Sequence, residues 1–263
     1  MTTEGFTIMA MARNREIVFV AIVGPEREVI MMKRNAICLG LSVILLSLLF
    51  TGCGPKIYND GTYKGISVAD DKGFATAEVT VKGDKITQVK LAEFSGLAAE
   101  KDFSTYEWKP AVEANQKLPE RFIGKVDADV EVYTGATSSS KKYISAVSSA
   151  LEKAKKKPDI TTAYFDGTFM GKSAADAQGY GLALVTIEKD KITKVKLMEV
   201  TESNELKDFA TYSYTPVIQA KEKLEKAFVE KNSPQVDAFT GATISSQKWI
   251  EAVANALAAA RVR

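Results

Sequence analysis

Histidine is absent from this chain of 263 residues, and only two cysteines, Cys38 and Cys53, are present. The lack of histidine excludes Ser-His-Asp and Cys-His catalysis, His-ligated haem and most zinc chemistry. Two cysteines at this spacing make neither a CxxC pair nor a metal cage, so no metal site is predicted. Any demanding chemistry must therefore come from a group that the protein binds.

A strong excess of charge of either sign is also missing. The chain has 35 basic and 33 acidic residues and a net charge of +2. Both signs are interspersed, and no basic stripe indicates nucleic acid as a partner. With 46% hydrophobic and 26% charged residues the composition is that of a globular protein. The length allows two domains of about 100 residues each.

The N-terminal region resembles a bacterial lipoprotein signal. Lys33 and Arg34 precede an apolar run from Ala36 to Phe50, and Thr51-Gly52-Cys53 follows. This order is typical of an export signal, and the run is shorter than the roughly 20 residues of a membrane span. Residues 49–53 resemble a lipobox, with Phe50 where leucine is usual. We expect cleavage before Cys53 and acylation of its thiol, with a plain transmembrane anchor as the alternative.

This interpretation divides the N-terminal part of the chain. Met31 is the expected true start, which makes residues 1–30 an upstream extension and residues 31–52 the signal peptide. Cys38 is then discarded with the signal. Residues 53–57 form a tether that spans less than about 20 Å, so the first domain is expected close to the bilayer.

The rest of the chain repeats itself at a period of 106 residues. Asp60–Tyr63 corresponds to Asp166–Phe169, Lys85–Thr87 to Lys191–Thr193, and Thr137 to Thr243. Two copies at so long a period indicate a tandem domain duplication rather than a solenoid. We predict domains at 58–152 and 163–263, joined by a charged linker at 153–162.

Each copy has the pattern of an α+β domain. Alternating apolar residues predict hairpins at 75–91 and 181–197, with turns at Gly83-Asp84 and Lys189-Asp190. Pro110 and Pro216 suit the first position of a helix. Apolar residues at helical spacing after Thr137 and Thr243 predict a second helix. The fold class is therefore a tandem repeat of two α+β domains, each a small antiparallel sheet packed with helices.

One four-residue motif, Thr-Gly-Ala-Thr, is identical in both copies. It spans Thr134–Thr137 and Thr240–Thr243, and two serines follow after one variable residue, at 139–140 and 245–246. An ordinary turn in which Ser139 and Ser245 cap a helix is one explanation. However, capping does not require identity, whereas a function of a particular hydroxyl does. The free N–H groups of a helix N-terminus favour a phosphate, and Ser139, Ser140, Ser245 and Ser246 could hold this phosphate or cap the helix.

The two copies resemble the FMN-binding domain of the flavinylated subunits of Rnf and Na⁺-pumping NADH:quinone reductase complexes, and above all two-domain flavinylated lipoproteins of extracellular electron transfer. The family motif is Asp-x-x-[Ser/Thr]-Gly-Ala-Thr. Asp237–Thr243 matches it in full, whereas Glu131–Thr137 has Glu in place of Asp. An Asp-Gly-Thr-Tyr-x-Gly strand stands at 60–65 and, with Phe169 for Tyr, at 166–171.

The resemblance implies two covalent FMN groups. A separate Mg-dependent flavin transferase, which uses FAD, would join each FMN by a phosphoester to Thr137 and Thr243 and recognise Glu131 and Asp237. The expected neighbours of the flavin in the motifs are Thr134, Gly135, Ala136, Ser138, Thr240, Gly241, Ala242 and Ile244. The aromatic residues that recur beside them, and that could stack on a flavin or pack in the core, are Tyr106, Trp108, Tyr212 and Tyr214.

The predicted function is that of a lipid-anchored electron carrier outside the cytoplasmic membrane. It would pass electrons from a membrane quinol-linked donor to external acceptors, with the first domain as the entry site. Open alternatives are a flavin-dependent reductase of one defined acceptor and an unflavinylated surface lipoprotein that binds a partner. In some relatives, fragments of the signal such as Val43–Phe50 also serve as secreted peptide signals.

Overall fold

The computed structural model describes residues 7–13, 16–23, 28–32 and 55–263. The first three segments are the strands β1 (Thr7–Arg13), β2 (Glu16–Val23) and β3 (Glu28–Met32), which pair antiparallel in that order. The apolar run of the predicted signal, its cleavage site and Cys53 lie outside the described residues. Within the described part of the chain, no helix has both the length and the apolar character to cross a membrane.

The first repeat has three antiparallel strands followed by two helices. The strands are β4 (Gly61–Ile66), β5 (Phe74–Lys82) and β6 (Lys85–Phe94), in sheet order β4-β5-β6. The helices are α1 (Lys109–Phe122) and α2 (Thr137–Ala154).

The second repeat has the same order of elements. Its sheet consists of β7 (Gly167–Lys172), β8 (Tyr180–Glu188) and β9 (Lys191–Val200), and its helices are α3 (Thr215–Lys231) and α4 (Thr243–Ala260). The predicted fold class is confirmed: both repeats are α+β units built on a three-stranded antiparallel sheet.

Tight turns and helix starts follow the local sequence. Gly83 and Asp84 have φ values of 59° and 62°, the left-handed backbone of the hairpin turn that their residue types favour. Pro110 and Pro216 lie in the first turns of α1 and α3, where the missing N–H costs nothing. The two hairpins extend beyond the predicted limits of 75–91 and 181–197, because Phe74 also pairs with Phe94 and Tyr180 with Val200.

The last glycine of the Asp-Gly-Thr-Tyr-x-Gly strand marks a close approach between sheet and helix. A Cβ at Gly65 would lie 1.9 Å from the carbonyl oxygen of Ala146 in α2. In the second repeat, a Cβ at Gly171 would lie 2.0 Å from the carbonyl oxygen of Ala252 in α4. Only glycine lets backbone approach backbone at this distance, so this residue sets how closely the helix after the motif packs on the sheet.

The two repeats are packed into one compact unit, Lys56–Arg263. Ile66 and Phe74 of the first repeat belong to the same buried apolar cluster as Phe169 of the second. Hydrogen bonds also cross between the repeats. The Ala69 N–H donates to the Thr168 carbonyl at 2.7 Å, and the Tyr180 hydroxyl donates to the Leu97 carbonyl at 2.9 Å.

The stretch predicted as a charged linker is folded. Helix α2 continues to Ala154, and the Glu152 carboxylate accepts the N–H groups of Asp159 and Ile160 at 2.7 and 2.8 Å. Lys155 pairs with Glu152 at 2.7 Å, and burial lowers the pKa of Lys153. The charged side chains at the start of this stretch therefore bond to one another and to the local backbone.

We expect Gly65→Ala to destabilise the protein by about 1–3 kcal/mol or more, because the added methyl group has no space between β4 and α2. The measurement is the free energy of unfolding from urea titration. Lys64→Ala, at the exposed preceding position of the same strand, is the matched control and should change stability by about 0.5 kcal/mol at most. Equal effects of the two changes would contradict the close approach.

Candidate functional site

Each Thr-Gly-Ala-Thr motif forms a turn that opens directly into a helix. Gly135 and Gly241 have φ values of 82° and 87°, in the left-handed region that favours glycine. A Cβ at Gly135 would also lie 3.1 Å from Cβ of Pro110, so the motif packs against the start of α1. Ala136 and Ala242 are the buried N-cap residues, and Thr137 and Thr243 are the first residues of α2 and α4.

The first turn of each of these helices is uncapped. No side-chain cap hydrogen bond is formed at the described N-termini of α2 and α4, so the predicted capping by Ser139 and Ser245 is wrong. The side chains of Thr137 and Thr243 are exposed beside these N–H groups. A helix N-terminus of this kind presents unpaired donors and the positive end of the helix dipole.

Ser140 and Ser246 form hydrogen bonds within the fold. The Ser140 hydroxyl accepts the Tyr133 N–H at 2.9 Å and donates to the Ala136 carbonyl at 2.8 Å, and the side chain is fully buried. Ser246 makes the same two bonds with Phe239 and Ala242, at 3.1 and 2.7 Å. The second serine of each motif therefore ties the loop before the motif to the helix after it.

The other motif residues lie at the surface around the two threonines. Thr134 and Ser138 are exposed in the first repeat, as are Thr240 and Ile244 in the second, with Ile244 58% exposed. The predicted transferase-recognition residues are also exposed. The Asp237 carboxylate lies 3.8 Å from Lys231, and Arg121 donates to the backbone carbonyl of Glu131 at 2.9 Å.

An aromatic side chain is tied to each motif by its polar tip. The Trp108 indole N–H donates to the Gly135 carbonyl at 3.2 Å, and the Tyr214 hydroxyl donates to the Gly241 carbonyl at 2.9 Å. Trp108 is 60% exposed and Tyr214 is 50% exposed. Two different donors thus hold an aromatic ring at the same place, with much of its surface available for contact.

Tyr106 and Tyr212 are held differently from Trp108 and Tyr214. Tyr106 packs edge-on against Phe103, with ring centroids 5.6 Å apart, and Lys101 lies 5.1 Å from the Tyr106 ring centroid. Tyr212 lies edge-on to Phe209 at 6.1 Å, and Lys207 is 4.7 Å from its ring centroid. These rings therefore support the loop that leads to α1 or α3.

A buried lysine positions each motif helix, which the sequence reasoning missed. Lys142 in α2 pairs with Asp70 at 2.6 Å and donates to the Gly73 carbonyl at 2.8 Å, at the turn before β5. Lys248 in α4 pairs with Asp176 at 2.6 Å. Lys142 and Lys248 are only 7% and 9% exposed. The sequence does contain a sign of these ion pairs, since both the lysines and the aspartates recur at the period of 106 residues.

A second buried ion pair lies under the loop that carries the aromatic residues. Glu93 is 3% exposed, pairs with Lys101 at 2.6 Å and accepts the Tyr143 hydroxyl at 3.1 Å. Burial, followed by the charge of Glu93, raises the pKa of Tyr143, which keeps it a hydrogen-bond donor. Glu199 and Lys207 form the same ion pair in the second repeat.

The surface next to the first motif is concave. A cavity of about 410 Å³ is lined by Lys109, Pro110, Glu113, Arg121, Tyr133 and Thr134. Among the described residues, no group of three or more acidic, cysteine or histidine side chains could hold a metal ion. The arrangement offers an exposed hydroxyl, unpaired N–H donors and an aromatic ring at one place, twice.

A model of the FMN-binding domain family matches residues 72–152 and 179–258, more than half of the chain, and each match ends inside the helix that follows a motif. The chain belongs to the FMN-binding domain family. Membership supports FMN as the ligand and a role in flavin-based electron transfer, and it confirms the repeat.

One solved structure shows similarity. The CPE2226 protein from Clostridium perfringens is 30% identical to this chain, and the match covers 37% of this chain and 88% of that protein, with a TM-score of 0.32. No curated protein matched the chain.

We expect the contribution of the Lys248–Asp176 pair to depend on pH. The hydrogen bond from Lys248 holds the pKa of Asp176 below its ordinary value. A carboxyl with a lowered folded pKa stabilises the protein above its unfolded pKa, near 4, and loses this contribution as the pH falls through the folded pKa. Asp176→Asn should therefore be less stable than the wild type at pH 7, and the difference should shrink below about pH 4.

The measurement is urea unfolding of both proteins at several pH values. Asp71→Asn is the control, because Asp71 is exposed at the corresponding turn of the first repeat and forms no ion pair with any described residue. A difference between Asp176→Asn and the wild type that stays constant from pH 7 to pH 3 would contradict the role of the charge.

Proposed function

We propose that this protein is an electron carrier with two covalently attached FMN groups, one on Thr137 and one on Thr243. Family membership supports flavin, and the two exposed threonines on uncapped helix N-termini support its attachment by a phosphate. A flavin supplies one- and two-electron redox chemistry, which a chain without histidine does not provide by itself.

The residues of each site fit such a group. The threonine hydroxyl is the only motif hydroxyl that sits on the first helical residue, beside the free N–H donors. Gly135 and Gly241 bring backbone rather than side chain to this position, and Ala136 and Ala242 point their methyl groups into the core. The fixed rings of Trp108 and Tyr214 offer a surface for contact with a planar ligand.

The attachment requires a second protein. A Mg-dependent flavin transferase would transfer the FMN part of FAD to the threonine oxygen, with AMP as the other product and loss of the hydroxyl proton. The exposed position of Asp237 and Glu131, on the loops before the motifs, is consistent with recognition by this enzyme. Asp237 belongs to the complete family motif, so we expect Thr243 to be modified more efficiently than Thr137.

The location of the carrier follows from the N-terminal pattern. We propose that the chain is exported and anchored in the membrane by a lipid on Cys53, which places both repeats outside the cytoplasm. Covalent attachment suits this location, because a cofactor that dissociates there is lost by dilution. The donor would be linked to membrane quinol, and the acceptors would be external.

Intact-mass measurement tests the attachment. After co-expression with a flavin transferase, we expect the wild type to carry two FMN groups, and Thr137→Val and Thr243→Val to carry one each. Thr134→Val and Thr240→Val are matched controls that remove a hydroxyl from the same motifs and should keep both groups. Absence of any FMN mass on the wild type would exclude the carrier and favour an unflavinylated binding lipoprotein.

Metabolic labelling with a fatty acid tests the anchor. We expect the wild type to be labelled and recovered with membranes, because acylation of Cys53 supplies the only proposed attachment. Cys53→Ser should lose the label, whereas Cys38→Ser, which changes the other cysteine within the predicted signal, should keep it. A labelled Cys53→Ser protein would contradict the proposed anchor.

A further inference from the structure

The surroundings of the two motifs differ in charge, although the backbone around them is the same. Beside the first motif, Lys109 and Arg121 line the cavity that reaches Thr134, and Lys141 lies one helical turn after Thr137. The corresponding residues of the second repeat are the neutral Thr215, Ala227 and Gln247.

Acidic residues offset this difference only in part. Glu113 of the first repeat corresponds to the neutral Gln219 of the second. The Glu113 carboxylate pairs with Lys117 at 3.1 Å and accepts the Tyr133 hydroxyl. Outside the cavity lining, the first repeat also has Glu107, Asp127 and Asp129 where the second repeat has Ser213, Ser233 and Gln235. The exposed carboxylates Glu131 and Asp237 are equivalent and cancel.

In the second repeat, the matching lysine has no such carboxylate beside it. Lys223 lies 4.9 Å from the Phe239 ring centroid, next to Gln219 rather than a glutamate. Of the other charges of α3, Glu222, Glu225, Lys226 and Glu230 line a separate groove against β9. Lys221 pairs with Glu225 at 2.7 Å, and Lys231 lies 3.8 Å from Asp237. Among the residues that line the cavity beside the first motif, Lys109, Arg121 and Glu113 therefore carry one positive charge more than their counterparts Thr215, Ala227 and Gln219.

Polarity differs in the same direction as charge. Ser138, directly after Thr137, is replaced by Ile244, which is 58% exposed, and Tyr133 is replaced by Phe239. An apolar surface disfavours a charged ligand, because it replaces water that would solvate the charge.

We infer that the site at Thr137 stabilises the reduced flavin more than the site at Thr243 does, so that the two sites have different reduction potentials, with that at Thr137 higher. This inference rests on the proposed function. Reduction by two electrons with uptake of one proton adds one negative charge to a flavin at neutral pH. Nearby cations favour this form, and an apolar surface opposes it.

The size of the effect follows from Coulomb's law. One unit charge at about 10 Å, with an effective dielectric constant near 20, changes an equilibrium roughly tenfold, and solvent screening reduces this. We therefore expect a three- to tenfold preference, where tenfold is about 30 mV for a two-electron couple. Added salt should reduce the difference, since the cations involved are exposed.

The test compares two proteins that each carry one flavin. Thr243→Val retains the site at Thr137, and Thr137→Val retains the site at Thr243. Each is loaded by the transferase and titrated with dithionite against a reference dye, and its equilibrium potential is read from the flavin absorbance. We expect the higher potential in Thr243→Val.

Exchange of residues between the repeats then identifies the cause. Adding Lys109→Thr and Arg121→Gln to Thr243→Val should lower its potential towards that of the other protein. Adding Thr215→Lys and Ala227→Arg to Thr137→Val should raise its reduction potential. This second exchange leaves the hydrogen bond from Arg121 to the Glu131 carbonyl intact, so a rise in potential cannot come from the loss of that bond. Lys85→Gln, at the opposite end of the first sheet, is the control and should leave the potential unchanged.

The outcomes separate this inference from the proposed function. If neither threonine carries FMN, the carrier itself is wrong. If both carry FMN and the potentials are equal or reversed, or if the exchanged residues do not move them, the carrier stands and the inequality of the sites is overturned.

Discussion

Unpaired backbone N–H groups in the first turn of α2 and α4 are the feature that the rest of each repeat keeps in place. Gly135 and Gly241 make the turn possible with a left-handed backbone, and Ser140 and Ser246 tie the preceding loop to the helix. Neither serine nor any other side chain caps the described helix starts, so these donors stay available to a ligand. Because these helix starts are exposed, water can pair with the donors until a ligand replaces it, and both repeats share this arrangement.

Packing keeps this turn in one position. The close contact of Gly65 with Ala146, and of Gly171 with Ala252, sets the helix on the sheet. Lys142 and Lys248 then fasten the N-terminal part of the helix to the turn before the central strand. The apolar cluster shared by the repeats joins them into one compact unit.

Much of the fold could be predicted because it depends on local or periodic signals. The turn at Gly83-Asp84, the helix starts at Pro110 and Pro216, and the repeat at 106 residues are all visible in the chain. The roles of Ser140, Ser246 and the buried lysines could not be assigned in this way, because their partners lie on distant segments. The contacts of the stretch 153–162 could not be predicted for the same reason, since charges that pair with one another and with backbone have the same residue types as charges in solvent.

The sequence by itself determined the duplication, the α+β class, the identity of the motif threonines and the absence of histidine chemistry, since each rests on residue types and spacing alone. The tertiary structure decided which hydroxyls remain exposed, because burial depends on contacts between separate elements. It showed that Thr137 and Thr243 lie free at uncapped helix ends, while Ser140 and Ser246, only three residues further on, are buried and used within the fold. It also brought Lys109 and Arg121 of α1 beside Thr134, a proximity that linear spacing does not encode.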